Sequence, residues 1–417
     1  MKRIAIRYCI RLKPVRTTLL LIVGCGIFVS VAQSTAPFEL KDGDRVAFLG
    51  DTFFEQAIRY GHIEMALTSR WPERNIIFRN IGWAGDSPEG RARVFFDPVE
   101  QGSENLKMHI ELADPTVVIL SYGSMAAYEG KEELDVFINN MNTLIDTIEE
   151  SGVRIAILSP IPREFKGLQL SNPESQNHEL SLYVDALRSL ARKRGAFFVD
   201  LFDTIETRLR QSDTKAITTN GVHLNEYGYF LAAERIAQSF SGRSTVKSIS
   251  IGRKNAVSAA VGIEAVEVEE SDAGVVIRLK DERLSLSPLS GDYSENLKLA
   301  LANLPRGNFE LVYEGKVLAT GTAQKWKRGV QLAWEPSNDR AAQLREAINR
   351  KNRHFFHQWR PQNETYLRGF RKHEQGQNAA EIPLYDQFIE MEESKIADLK
   401  KPKAYTLVLR KVKGGEG

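Results

Sequence analysis

The sequence predicts an α/β protein, a doubly wound parallel sheet followed by a smaller β domain that carries a helical insertion. Three observations predict it. Between residues 44 and 240, five short apolar runs alternate with helix-period stretches. The runs are continuous, as in Ile155-Ala156-Ile157-Leu158, which is how strands covered on both faces read. Beyond residue 256 the grammar shifts to short strands separated by turn signals.

The five strands are expected over 45–49, 76–80, 116–121, 154–159 and 196–200. The clearest helix places Leu134, Phe137, Ile138, Met141, Leu144, Ile145 and Ile148 on one face, with Gly152 as its stop. A second, over about 179–194, carries Leu180, Tyr183, Val184, Leu187 and Leu190, with Gly195 after it. A third covers about 226–240. Strand–helix alternation with short loops implies helices on both sides of the sheet, and ligands then sit beyond the carboxyl ends of the strands. Gly50-Asp51-Thr52 ends the first strand, Gly82 to Gly85 follow the second, and Tyr122-Gly123-Ser124 follow the third.

Residues 241–256 are polar and basic and read as a linker from the domain at 38–240 to a C-terminal β domain at 257–417. In that domain, strands are expected over 260–269, 274–279, 308–313, 316–319, 329–334 and 404–412, with a hairpin around Glu314-Gly315 and an antiparallel arrangement. Residues from about 339 to 400 are helical and charged, and form the insertion before the last strand.

The N-terminus reads as an export signal. Six bases precede an apolar run over 17–31, and Ser30-Val31-Ala32 offers a small-x-small cleavage site after Ala32. The run is short for a bilayer span, so an uncleaved anchor is the lesser reading. Lipoprotein processing at Cys25 is a third, weakened by the apolar Ile27-Phe28-Val29 that follows. Removing the leader leaves 50 bases against 54 acids, a net charge of −4, so nucleic-acid binding loses its electrostatic basis. Both cysteines, Cys9 and Cys25, leave with it, so the mature chain would hold no disulfide. The expectation is a periplasmic or extracellular protein with no stable membrane insertion after cleavage.

Four blocks carry chemistry. Gly50-Asp51-Thr52 presents a hydroxyl past the first strand, and Asn80 to Asp86 form a glycine-bearing turn past the second. Tyr122-Gly123-Ser124-Met125 follow the third, and Asn220-Gly221-Val222-His223 precede the last helix. Their order and spacing resemble the SGNH (GDSL) hydrolase family. The whole chain resembles secreted planctomycete-type proteins that carry this module with a C-terminal extension. The resemblance implies a flavodoxin-like five-stranded sheet and an esterase or deacetylase acting on carbohydrate-linked or small esters, without cofactor or metal. It implies Thr52 as nucleophile and His223 as base, oriented by Asn220. The N–H groups of Thr52 and Gly85 would form the oxyanion hole, and Asp51 and Met125 would line the pocket.

Three letters depart from that pattern. Thr52 stands for serine, and its β-methyl stiffens the rotamer. Asn220 stands for aspartate and brings no charge to stabilise an imidazolium; the equivalent swap in a serine protease lowers turnover by about 10⁴. Met125 replaces an asparagine donor, a loss of roughly 10²–10³ in related oxyanion holes. The alternative is therefore a catalytically weak or inactive module that binds an envelope glycan or a protein partner. Thr52 also admits a structural reading, as the cap of the helix beginning near Phe53. In the insertion, Trp359, Arg360 and Asn363 suit a sugar or carboxylate, against the alternative of a helix docked on the hydrolase domain. His354 and His357 share a helix face, where packing is the prior reading over zinc.

Overall fold

The computed structural model describes residues 37–94, 97–150, 152–166, 172–211, 215–242, 246–286, 296–362, 364–367 and 371–412. Residues 1–36, where the leader is expected, with Cys9 and Cys25, lie outside the described residues, as does Asn363.

The first layer system is the expected one. Strands β1 (Arg45–Gly50), β2 (Ile77–Asn80), β3 (Val117–Ser121), β4 (Arg154–Leu158) and β5 (Phe197–Val199) form an all-parallel sheet in the order β2-β1-β3-β4-β5. Around them run helices α1 (Thr52–Ala57), α2 (His62–Arg70), α3 (Glu100–Ala113), α4 (Leu134–Glu149), α5 (Pro173–Arg194), α6 (Leu201–Leu209) and α7 (Glu226–Ser241). Residue alternation explains the continuous apolar runs. Val46, Phe48, Val117, Ile119, Ala156 and Leu158 enter one core with α2 and α7. Ala47, Leu49, Val118, Leu120, Ile155 and Ile157 enter the other with α4 and α5. Both faces of the central strands exclude water, so their inner positions are apolar, and polar residues such as Asn80 and Ser121 fall at the strand ends. The strand order reverses between β1 and β3, which opens a crevice at their carboxyl ends.

The C-terminal part departs from expectation in three ways. The stretch read as a linker contains strand β6 (Lys247–Ile251), with Ile249 and Ile251 buried. Its alternation Lys-Ser-Ile-Ser-Ile is a half-buried strand, obscured by the polar residues around it. Next come β7 (Val257–Val261), β8 (Ile263–Ser271), β9 (Gly274–Asp281), β10 (Leu297–Leu301), β11 (Asn308–Tyr313), β12 (Lys316–Thr322), helix α8 (Ala323–Arg328), and β13 (Val330–Gln331). They build two sheets, β13-β10-β6-β7 and, with a last strand β14 (Tyr405–Lys411), β12-β11-β14-β9-β8. The first is mixed rather than antiparallel, because β10 pairs β6 in parallel. The strand expected over 329–334 shrinks to β13, with Leu332 still donating to the Leu297 carbonyl at 3.0 Å in the same antiparallel register.

The insertion is helical as expected, comprising α9 (Pro336–Trp359), α10 (Glu364–Leu367), α11 (Lys372–Gln375) and α12 (Tyr385–Leu399). It docks on the α/β layer. Ala341, Leu344, Ala347 and Ile348 join the first core, and Phe355 and Trp359 join the second. Buried Lys351 donates to Glu64 of α2 (2.6 Å) and to the Phe78 carbonyl of β2 (2.8 Å). His62, also on α2, lies 3.2 Å from Arg345 of α9. The insertion is thus tied to the α/β layer by shared core residues and buried hydrogen bonds. His354 stacks on Phe388 at 5.3 Å, and His357 faces Tyr385 at 6.1 Å, so both rings pack against α12.

Candidate active site

The site is built where β1 meets α1. Gly50 runs so close to β3 that a Cβ there would sit 2.3 Å from the Ser121 carbonyl oxygen. The Asp51 N–H donates to that same carbonyl (3.1 Å), and the Asp51 carboxylate accepts from the Phe53 N–H (3.1 Å) as the N-cap of α1. Asp51, not Thr52, is therefore the cap, and the Thr52 hydroxyl has no capping role. Its Oγ1 accepts instead from the Gly85 N–H at 3.2 Å.

Gly85 is delivered by the turn after β2. Asn80 ties that turn to α1 by donating to the Phe54 carbonyl (2.8 Å) while its Oδ1 accepts from the Gly82 N–H (2.9 Å). The Trp83 N–H donates to the Gly50 carbonyl (2.9 Å). Gly85 has φ +72°, a conformation that suits glycine, although a Cβ would meet no atom there. Behind it, Asp86 and Arg93 form a fully buried ion pair of 2.7 Å. Arg93 also donates to the Ile81 carbonyl (2.9 Å), and the Tyr122 hydroxyl donates to Asp86 (3.3 Å). The turn is thus held by charge from beneath.

The histidine loop is folded as tightly. The Thr219 N–H donates to the His223 carbonyl (2.9 Å), and the Gly221 N–H to the Thr218 hydroxyl (2.9 Å). The Asn220 Oδ1 accepts from the backbone N–H groups of Val222 (3.2 Å) and His223 (2.9 Å). Its Nδ2 lies 3.2 Å from His223 Nδ1. This arrangement decides the tautomer. Two backbone donors claim the amide oxygen, so the amide nitrogen must face the ring. An amide nitrogen only donates, so Nδ1 must accept and the ring proton resides on Nε2. A carboxylate would accept from both backbone groups and from Nδ1–H. Burial, and then the charges of Arg163 and Arg59, lower the pKa of His223, which favours the neutral ring.

Thr52, His223, Asp51 and Met125 line one small pocket with Ser124, Ile161 and Tyr229. Met125 is 45% exposed at its mouth, where the family pattern places an amide donor. Arg163, absent from the sequence reading, stands beside the site. It is buried, donates from Nη2 to the Ser124 carbonyl (2.9 Å), and lies 4.8 Å from the Tyr128 ring centroid. Its only sequence signal is its place after Pro160-Ile161-Pro162 at the carboxyl end of the fourth strand.

The insertion residues take a structural part. Trp359 is fully buried, edge-on to Trp83 at 5.7 Å and to His109 at 5.0 Å, and so cannot meet a sugar. Arg360 lies 3.6 Å over the Trp83 ring and pairs with Glu55 at 2.7 Å. Both brace the Gly85 turn from outside, because a helix end rich in aromatics buries more apolar area as a clamp than as an open platform. Asn363 lies outside the described residues.

Burial pushes the Asp51 carboxyl up to about 7, against the opposing pull of the Phe53 N–H and the Arg163 charge. From about pH 4 to about pH 7 the folded protein keeps a proton that the unfolded chain has released, so stability falls as pH rises through that window. Asparagine caps as well as aspartate. Asp51→Asn is expected to match wild type at the acid end and to exceed it by about 2–4 kcal/mol above the window, read by urea unfolding across pH. Parallel pH profiles for the two proteins would refute the assignment.

A hydroxyl at the end of β1, a glycine N–H directed at it, and a histidine ahead of α7 share one pocket at the carboxyl edge of a 2-1-3-4-5 sheet, an arrangement chemically suited to acyl transfer. Residues 48–231 match the GDSL-like lipase/acylhydrolase family. Among solved structures, a gut microbial diltiazem-metabolizing enzyme is similar over 91% of this chain and 100% of its own, at TM-score 0.68 and 16% identity. An acetylxylan esterase from Geobacillus stearothermophilus is similar over 49% of this chain and 97% of its own (TM-score 0.38, 17% identity). A member of the lipolytic G-D-S-L family from Veillonella parvula covers 47% and 97% (TM-score 0.37, 17% identity). No curated protein matches the sequence.

Proposed function

We propose that the protein is an exported esterase or deacetylase for carbohydrate-linked or small esters, with turnover restrained by the tautomer of His223. The observation that carries this reading is the Asn220 amide on Nδ1, its orientation dictated by two backbone donors. An ester carbonyl would replace the Thr52 hydroxyl at the Gly85 N–H, and Thr52 Oγ1 would attack the carbonyl carbon. The departing hydroxyl proton needs a basic Nε2. That nitrogen is basic only when the ring proton moves to Nδ1, where it meets the Asn220 NH₂. Two donors then oppose each other, so the productive tautomer is sparsely populated. Export rests on the leader, and the ester class on the family of the 48–231 domain.

Slow hydrolysis of 4-nitrophenyl acetate and acetylated xylo-oligosaccharides is expected, and Thr52→Ala and His223→Ala should each abolish it. Activity equal to wild type in both variants would sink the mechanism. A second reading, a binding module for a glycan, is favoured by the Gly85 N–H being satisfied within the protein by Thr52. It requires saturable glycan binding without turnover that persists in Thr52→Ala.

A further inference from the structure

Outside the residues that line this pocket, the two C-terminal sheets carry a cluster of reactive groups that ester chemistry does not use. Lys247 of β6, Asp281 at the end of β9 and Glu335 ahead of α9 are all fully buried. Lys247 Nζ donates to Asp281 Oδ2 at 3.0 Å and also to Glu335 Oε1. The second oxygen of Asp281 accepts from the Tyr405 hydroxyl at 3.3 Å. Glu335 accepts from Ser285 (2.7 Å), Ser337 (2.8 Å) and the Leu297 N–H (2.9 Å). One ammonium and two carboxyl groups thus share a dry site, a costly burial of charge.

We propose that Lys247 and Asp281 condense to an intramolecular isopeptide bond, with Glu335 as the proton relay. Glu335 takes a proton from the Lys247 ammonium, which frees the Nζ lone pair. Nζ attacks Cγ of protonated Asp281, and the Tyr405 O–H polarises the remaining carboxyl oxygen. Glu335 hands its proton to the leaving hydroxyl, the C–O bond breaks, and one water departs. Glu335 then removes the surplus proton from nitrogen. The products are a neutral amide, a protonated Glu335 and water, so the site loses all formal charge. Burial raises the pKa of Asp281 and so favours the acid form that the step needs. Burial alone would also raise Glu335, but Lys247 and the serine hydroxyls hold it below its ordinary value, as a proton acceptor. Fixing amine and acid in contact supplies the entropic part of the barrier, since oriented intramolecular pairs reach effective molarities of about 10⁵–10⁸ M.

The test is mass spectrometry of the purified full-length protein. Wild type is expected to be lighter by one water than the mass calculated for its purified chain, whose N-terminus is read by peptide mapping, and proteolysis should release a branched peptide joining the segments around Lys247 and Asp281. Asp281→Ala should show the full sequence mass with no branched peptide. Glu335→Gln should show the full mass even when folded, as judged by circular dichroism, whereas Glu335→Asp should form some of the bond. A wild-type mass equal to the sequence mass, or a water lost elsewhere on peptide mapping, overturns the bond. Full cross-linking in Glu335→Gln overturns the relay.

Discussion

Asn220→Asp is expected to raise kcat for a small acetyl ester by about 10²-fold or more, with little change in KM. The reason is local. Asn220 Oδ1 already accepts from two backbone N–H groups, and only the atom facing Nδ1 is wrong for catalysis. Replacing that NH₂ with a carboxylate oxygen reverses the hydrogen bond. The ring proton then sits on Nδ1, Nε2 becomes basic, and the imidazolium formed during attack gains a counter-charge. The reverse change in a serine protease costs about 10⁴, which sets the ceiling. The gain should fall short of it, because Met125 leaves the oxyanion one donor short and Thr52 keeps its β-methyl. Thr52→Ser in the Asn220→Asp background is expected to add a smaller gain. Steady-state kinetics on 4-nitrophenyl acetate decide the matter. An unchanged kcat in a folded Asn220→Asp protein would mean that the tautomer does not limit turnover.

Arg93→Met is expected to cost about 3–5 kcal/mol of stability, because it strands the buried Asp86 carboxylate without its cation. The loss extends beyond the pair. Arg93 also donates to the Ile81 carbonyl and lies 5.4 Å from the Trp83 ring centroid, so the turn that carries Gly85 loses its foundation. Urea unfolding with two independent probes reads the effect. The double variant Asp86→Leu with Arg93→Met should recover a large part of it, since the stranded charge goes too. A single variant within about 1 kcal/mol of wild type would show that the pair contributes nothing net.

How far the sequence could be read varies from element to element. The parallel strands were legible because burial on both faces favours apolar runs, as in β3 and β4, and the observed limits of all five lie within two residues of those expected. β6 was not, because a strand with one solvated face shows only alternate apolar positions, here Ile249 and Ile251 among serines. Trp359 was misread for a related reason. An aromatic beside an arginine looks alike whether it faces solvent or a neighbour, and only the docking of α9 on the turn after β2 places it at Trp83. Arg163 carried almost no signal, since a lone arginine after a strand becomes informative only when its burial is known.

By itself the sequence determined the doubly wound sheet, the order of the blocks along it and the residues at its carboxyl edge. All of these follow from periodicity and chain order, which are local properties. The tertiary structure alone decided which atom of Asn220 meets His223, that Asp51 rather than Thr52 caps α1, and that the insertion braces the site instead of offering a sugar platform. The physical reason is common to all three. A hydrogen bond or an aromatic contact has direction, and direction is set by backbone donors and packed faces brought together from distant parts of the chain.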